Sequence, residues 1–210
     1  MRAFAIILPN LELDAVGIGW LLFAAVFLAR KKLPRVPDLA RNQFSILGLL
    51  LQIVGYLVVR LGFRAPGVWF LPLGTIGEVG SAIVAFGIMA ASIYLSYAAV
   101  QILGKQWSLA ARLVQGHELV TGGPYGWVRH PIYTSMFGML IGTAIAMSQW
   151  PELLIGAVIF LLGTALRIRA EEQLLVDAFG DEYREYARKV PALIPGRSWN
   201  HQTPFRIEKS

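Results

Sequence analysis

Apolar residues in this chain gather into five long runs with charged segments between them. Leu13 to Ala29 is the first, 17 residues and about 25 Å long as a helix, close to the hydrocarbon thickness of a bilayer. Arg30-Lys31-Lys32 ends it. A secretory signal carries its charge before the apolar run and a small-residue cleavage site after it. Here the charge follows, so the run is expected to be a retained anchor. Phe44 to Val59, bounded by Arg41 and Arg60, is the second run, and Ile76 to Leu103 is the third. Ile132 to Met147 and Pro151 to Leu166 are the fourth and fifth, joined by Ser148-Gln149-Trp150 as a helical hairpin. The pattern predicts an all-α integral membrane protein, a five-transmembrane-helix bundle forming one domain over residues 1–210.

Beyond the fifth run, Leu175, Phe179, Tyr183, Tyr186 and Val190 recur at helical spacing with charges between them. Gly180-Asp181 predicts the end of one helix and the capped start of another. This C-terminal segment is amphipathic and suits the bundle mouth or the membrane surface. Pro191 and Pro195 end it, and the polar tail from Arg197 is given no role. Gly48, Gly55 and the glycines of the third run suit close helix packing. Gln52 and Glu78 are unusual in apolar runs but are assigned to no site, and Tyr183 and Tyr186 are assigned to packing.

Composition agrees with the pattern. The chain is 56% hydrophobic and 15% charged, with a mean hydropathy of +0.56, against about 25% charged residues in soluble domains. It has no cysteine, which excludes disulfides, thiolate metal sites and cysteine nucleophiles. The net charge of +6 comes from residues between apolar runs, a placement that fits lipid headgroups rather than nucleic acid. Of the 19 lysines and arginines, all but Arg2, Arg60 and Arg64 fall on one side of the predicted bundle. The positive-inside rule then predicts an outer N-terminus and a cytoplasmic C-terminus, which makes the amphipathic tail segment cytoplasmic. Trp69 and Trp150 would mark the outer interface, Trp107 and Trp127 the inner one.

Two polar clusters flank the last hairpin and so should share one membrane face. The first runs from His117 to Tyr133, HELVTGGPYGWVRHPIY, and the second is Arg167-Ile168-Arg169-Ala170-Glu171-Glu172. Charged groups at the mouth of a helix bundle point to a functional site. Several chemistries are excluded. His117-Glu118 would need a second histidine where Thr121 stands, Gly122-Gly123-Pro124 lacks the lysine and spacing of a phosphate loop, and no serine sits in a nucleophile elbow. With three histidines, one of them in the tail, no metal site is expected.

What remains suits a ligand with both charges and an aromatic face. Gly122-Gly123-Pro124 forces a turn, with Gly123 allowing close approach of backbone to ligand. Tyr125, Trp127, His130 and Tyr133 offer stacking surfaces and hydrogen-bond tips. Pro131 suits a first helical turn, placing Arg129 and His130 at a helix start that attracts a carboxylate. Glu171 and Glu172 can hold an ammonium. A zwitterionic amino acid attached to an aromatic base satisfies all of these.

The ordered set Gly123-Pro124-Tyr125, Val128-Arg129-His130-Pro131-Ile132-Tyr133, Glu171-Glu172-x-x-Leu175, Phe179-Gly180-x-x-Tyr183-x-x-Tyr186 and Val190-Pro191-x-x-Ile194-Pro195 resembles the isoprenylcysteine carboxyl methyltransferase family. The wider group includes the integral-membrane phospholipid N-methyltransferases. The resemblance covers roughly the second half of the chain, with a cofactor-binding region over residues 117–195. It implies S-adenosylmethionine as methyl donor, held by His117, Leu119 and Val120 before the turn and by Tyr125, His130, Pro131, Tyr133, Glu171 and Glu172 after it. It also implies that Arg167 orients the acceptor's carboxylate, and that a lipid-like or small hydrophobic acceptor enters from the bilayer between helices. Prenylcysteine carboxylates, phospholipid amines and thiols are the acceptor classes it brings. The small bundle points to a bacterial or archaeal inner membrane. Two alternatives stay open at this point: an NADPH-dependent intramembrane reductase of the sterol type, which shares an Arg-His-Pro-x-Tyr segment, and a non-catalytic membrane scaffold.

Overall fold

The computed structural model describes residues 2–28, 38–41, 44–62, 70 and 74–195. Arg30-Lys31-Lys32, Arg64, Trp69 and the tail from Arg197, all used above, lie outside the described residues. Helices dominate: α1 (Arg2–Leu28), α2 (Phe44–Leu61), α3 (Gly74–Leu103), α4 (Pro131–Met147), α5 (Trp150–Phe179) and the short α6 (Asp181–Lys189). Three of them, α2, α3 and α5, are long and apolar enough to cross a membrane, and α4 is a shorter apolar helix of 17 residues. Leu21, Leu50, Leu57, Ile83, Leu154, Val158 and Leu162 all stand exposed on the outside of the bundle. Such an apolar belt is stable against lipid and unstable against water.

Small residues decide how closely the helices approach. On α2 and α5, Gly48 faces Gly163 and Gly55 faces Gly156. A Cβ on Gly163 would lie 2.5 Å from the Gly48 carbonyl oxygen, and one on Gly55 would lie 2.7 Å from the Gly156 oxygen. On α3 and α4, a Cβ at Gly142 would meet Met89 Cγ at 2.5 Å and the Ala85 oxygen at 2.9 Å. In lipid there is no hydrophobic drive between helices, so such contacts and buried hydrogen bonds carry the packing. Trp20 Nε1 donates to Thr143 Oγ1 at 3.1 Å, and Ser96 and Ser135 share a hydrogen bond at 2.9 Å. One core cluster joins α1, α3 and α4 through Val16, Phe23, Met89, Met139 and Met147. Another joins α2, α4 and α5 through Val59, Leu140, Ala144 and Phe160.

The structure departs from the sequence expectation in three ways. The fold is not wholly α: β1 (Asp38–Arg41) pairs antiparallel with β2 (Arg112–Val114), with an irregularity between Asp38 and Ala40. These are loop segments whose backbone groups find partners only because two connections meet at one end of the bundle. The fifth apolar run ends at Leu166 but its helix does not: α5 continues unbroken through the charged cluster to Phe179. Asp181 does not cap α6. The link is Gly180, with φ +54° and ψ −121°, a conformation open chiefly to glycine, and its N–H closes α5 on the Val176 oxygen.

Candidate active site

The continuation of α5 brings the two polar clusters together. Pro131 opens α4, where its missing N–H costs nothing. Just before it, the Arg129 N–H donates to the Pro191 oxygen at 2.8 Å and the His130 N–H to the Ala192 oxygen at 3.0 Å. Thr134 Oγ1 donates to the Leu193 oxygen at 2.8 Å. The chain after α6 is thereby strapped across the start of α4. On the other side, the Tyr186 hydroxyl donates to the Tyr125 oxygen at 2.6 Å, holding α6 against the Gly123–Gly126 turn.

A cavity of about 440 Å³ lies between these elements. One wall is apolar: Phe23, Ala24 and Phe27 of α1, with Leu103, Ile132 and Met136. Arg167, Glu171, His130 and Tyr133 also line the cavity, as do His117, Leu119, Val120, Tyr125 and Pro131. Two predicted site residues do not reach it: neither Gly123 nor Glu172 is part of the lining. At Gly123, φ is +57° and a Cβ would lie 2.3 Å from Ile102 Cδ1, so the turn and its packing account for this glycine. Trp127 points away and is 71% exposed.

The charged residues form a continuous chain of contacts. Arg129 gives Nε and Nη2 to Glu172 Oε1, at 2.9 and 2.8 Å, and Nη1 to the oxygens of Ala187 and Val190, at 2.8 and 2.5 Å. Arg129 lines the cavity, but most of its donors are spent on the protein rather than offered to a ligand carboxylate. His130 Nε2 lies 3.1 Å from Glu172 Oε1, and Nδ1 lies 3.4 Å from Glu171 Oε2. Burial opposes the charge on His130, but the two carboxylates outweigh it and its pKa is raised. Burial likewise works against ionised Glu172, yet the His130 hydrogen bond and the charges of His130 and Arg129 bring it to about 2. Glu171 Oε1 accepts from the Tyr133 hydroxyl. That hydroxyl in turn accepts from Arg167 Nε at 2.9 Å, and the guanidinium carbon stands 4.9 Å from the Tyr133 ring centre.

Arg167 is only 3% exposed, whereas Arg169 is exposed. The choice between these two arginines is thus decided by which face of α5 turns inward. Its remaining contacts are Nη1 to Gln52 Oε1 at 3.1 Å and Nη2 to the Leu109 oxygen at 2.5 Å. Among the lining residues, the buried His117 Nδ1 completes no hydrogen bond, and the Tyr183 hydroxyl lies near Glu172. Burial and the nearby Arg112 lower the His117 pKa, so its ring is neutral, while burial raises that of Tyr183. Sequence reasoning missed the α1 wall, Tyr183 and Gln52. Gln52 alone carried a signal, an amide inside an apolar run.

Comparison with known proteins agrees with this geometry. Residues 79–182 match the phospholipid methyltransferase family. The protein-S-isoprenylcysteine O-methyltransferase of Schizosaccharomyces pombe is 34% identical over 113 residues, covering 53% of this chain and 48% of the relative. That of Xenopus laevis is 40% identical over 83 residues, covering 38% and 27%. The chain is thus similar to the isoprenylcysteine carboxyl methyltransferase family. The cobalt-zinc-cadmium resistance protein CzcN of Cupriavidus metallidurans is similar over a longer stretch, 29% identical over 153 residues, or 71% of this chain and 63% of that protein. The matches span about half or less of the length of these isoprenylcysteine methyltransferases. The phospholipid methyltransferase match runs from α3 to the start of α6, so Gln52 and the α1 wall lie outside it.

Proposed function

We propose that this protein is an S-adenosylmethionine-dependent methyltransferase of the membrane, acting on a lipid-like or small hydrophobic acceptor. The observation that carries the reading is Tyr133, which ties Glu171 to Arg167 in one cavity that is also lined by apolar side chains of α1. A cavity of this size suits one small-molecule ligand with part of a second. The donor set fits the cofactor: Glu171 offers a carboxylate to an ammonium, and the buried His117 Nδ1 awaits a polar partner. Leu119, Val120, Leu174 and Leu175 offer apolar surface to an aromatic base. When bound, S-adenosylmethionine supplies a methyl group already activated on a sulfonium.

The protein's task is then alignment and exclusion of water. Tyr133 and Gln52 fix Arg167, which orients an anionic acceptor, and the strap and α6 cover the site. Both nitrogens of His130 face carboxylates, which favour the charged ring and make it a poor proton acceptor. This supports acceptors that arrive ionised, a carboxylate or thiolate, over an amine that must first lose a proton. The charge pattern and the five apolar runs of the sequence support five spans, an outer N-terminus and a cytoplasmic site. The 71% coverage by a bacterial relative supports a bacterial inner membrane.

Calorimetric titration of S-adenosylmethionine and S-adenosylhomocysteine into detergent-purified protein tests the reading, with NADPH in parallel. Affinity on the order of micromolar for the adenosyl compounds is expected, with loss of at least about tenfold in Glu171→Gln as the charge-assisted contact disappears. Binding of NADPH alone would overturn the reading in favour of a reductase.

A further inference from the structure

Arg167 takes its position from a helix outside the family-matched segment. Gln52 is fully buried on α2 and does not line the cavity. Its Oε1 accepts from Arg167 Nη1 at 3.1 Å, and its Nε2 donates to Thr164 Oγ1 at 2.8 Å. The amide has one workable orientation, because a guanidinium carries only donors and needs the oxygen facing it. Thr164, on the same helix as Arg167 and one turn before it, braces the amide from behind. Glycines make the contact possible. A Cβ on Gly48 would lie 2.5 Å from Arg167 Cγ, and one on Gly163 would lie 3.0 Å from the Gln52 backbone nitrogen. Three elements therefore grip one guanidinium: Gln52 from α2, Tyr133 from α4 and the Leu109 oxygen from the loop before β2. Each nitrogen uses one N–H, which leaves one on each terminal nitrogen, the pair that a bidentate carboxylate contact needs.

We propose that Gln52 is the positioning residue for Arg167 and that, braced by Thr164, it sets the protein's preference for acceptors that present a carboxylate. The proposal rests on the methyltransferase reading above. An apolar side chain at position 52 leaves a buried guanidinium N–H unpaired, and the group turns to recover a partner. Gln52 reaches Glu171 only through Arg167 and Tyr133, so its loss should move cofactor affinity far less than acceptor KM.

The test measures S-adenosylhomocysteine binding by calorimetry and steady-state methylation of N-acetyl-S-farnesylcysteine by the full-length protein. Gln52→Leu, Thr164→Val and the double variant are compared with the unaltered protein. Gln52→Leu should raise KM for the carboxylate acceptor about tenfold while S-adenosylhomocysteine affinity stays within about twofold. Thr164→Val leaves the amide in place but unbraced, and should raise KM by about twofold to threefold even where Gln52→Leu does not fold. The double variant should be no worse than Gln52→Leu, since both act along one path. An unchanged KM in the folded variants overturns the proposal, as does a parallel fall in cofactor affinity, which marks a packing role. Unaltered protein that binds S-adenosylhomocysteine but methylates no carboxylate acceptor overturns it and leaves the donor reading intact. Protein that binds neither adenosyl compound removes both.

Discussion

At the scale of single residues, the Arg-His-Pro-x-Tyr and Glu-Glu segments divide their labour. Glu171 and Tyr133 face the cavity, while Arg129, which also lines it, is paired with Glu172 outside the lining, with side chains 5% and 22% exposed. Removing one member of such a pair strands the other. Arg129→Ala should cost about 3–5 kcal/mol of stability, read as a lower unfolding temperature in detergent, whereas Arg169→Ala on the exposed face should stay within about 0.5 kcal/mol. The same cluster gives stability a pH dependence of defined sign. Glu172 is depressed from 4.5 to about 2, so its contribution is full above about 4.5 and is lost as pH falls through about 2. His130 is raised above 6.5, so its contribution is full below 6.5 and is lost as pH rises through its folded value. Unfolding temperature plotted against pH should therefore be highest between these limits, and His130→Gln should flatten the alkaline side. That these residues form a site was legible in the order of motifs. Which of them face inward was not, because adjacent residues such as Glu171 and Glu172 differ only by about 100° of helical rotation.

At the scale of elements, apolar run length fixed the helices well and their ends poorly. Length in an apolar run reports how much chain lipid can cover, so charge at Arg167 looked like an end. In the structure α5 carries its charges onward because Arg167 turns inward and finds partners on α2 and α4. The β1–β2 ladder had no sequence signal, since three or four residues are too few to show alternation. Glycines at 48, 55, 156 and 163 were partly legible as packing positions, although which glycine meets which helix was not. They make a sharp prediction. Gly163→Ala puts a methyl 2.5 Å from the Gly48 oxygen, so it should cost about 1–3 kcal/mol through forced separation of α2 from α5. Gly80→Ala, which meets nothing within 4 Å, should not lower the unfolding temperature.

At the scale of the whole molecule, the proposed orientation can be checked directly because the chain has no cysteine. A single cysteine at exposed Gln149, in the tight turn of the hairpin, should react with a membrane-impermeant maleimide on intact cells. One at exposed Glu182 on α6 should react only after permeabilisation. The reverse pattern would invert the bundle and put the cavity on the outer face. The sequence by itself determined that the chain is an apolar helical bundle with a polar mouth, and its motifs carried the family. These follow from local chemistry: apolar run length, turn residues and the spacing of charges along one stretch of chain. The tertiary structure decided that Arg129 braces the strap, that Glu171 rather than Glu172 faces the cavity, and that α1 supplies the apolar wall. It also decided that Gln52, 115 residues away in sequence, holds Arg167. Those outcomes depend on which helix faces approach each other, and that is set by small-residue contacts between distant segments, which no periodicity within a single segment encodes.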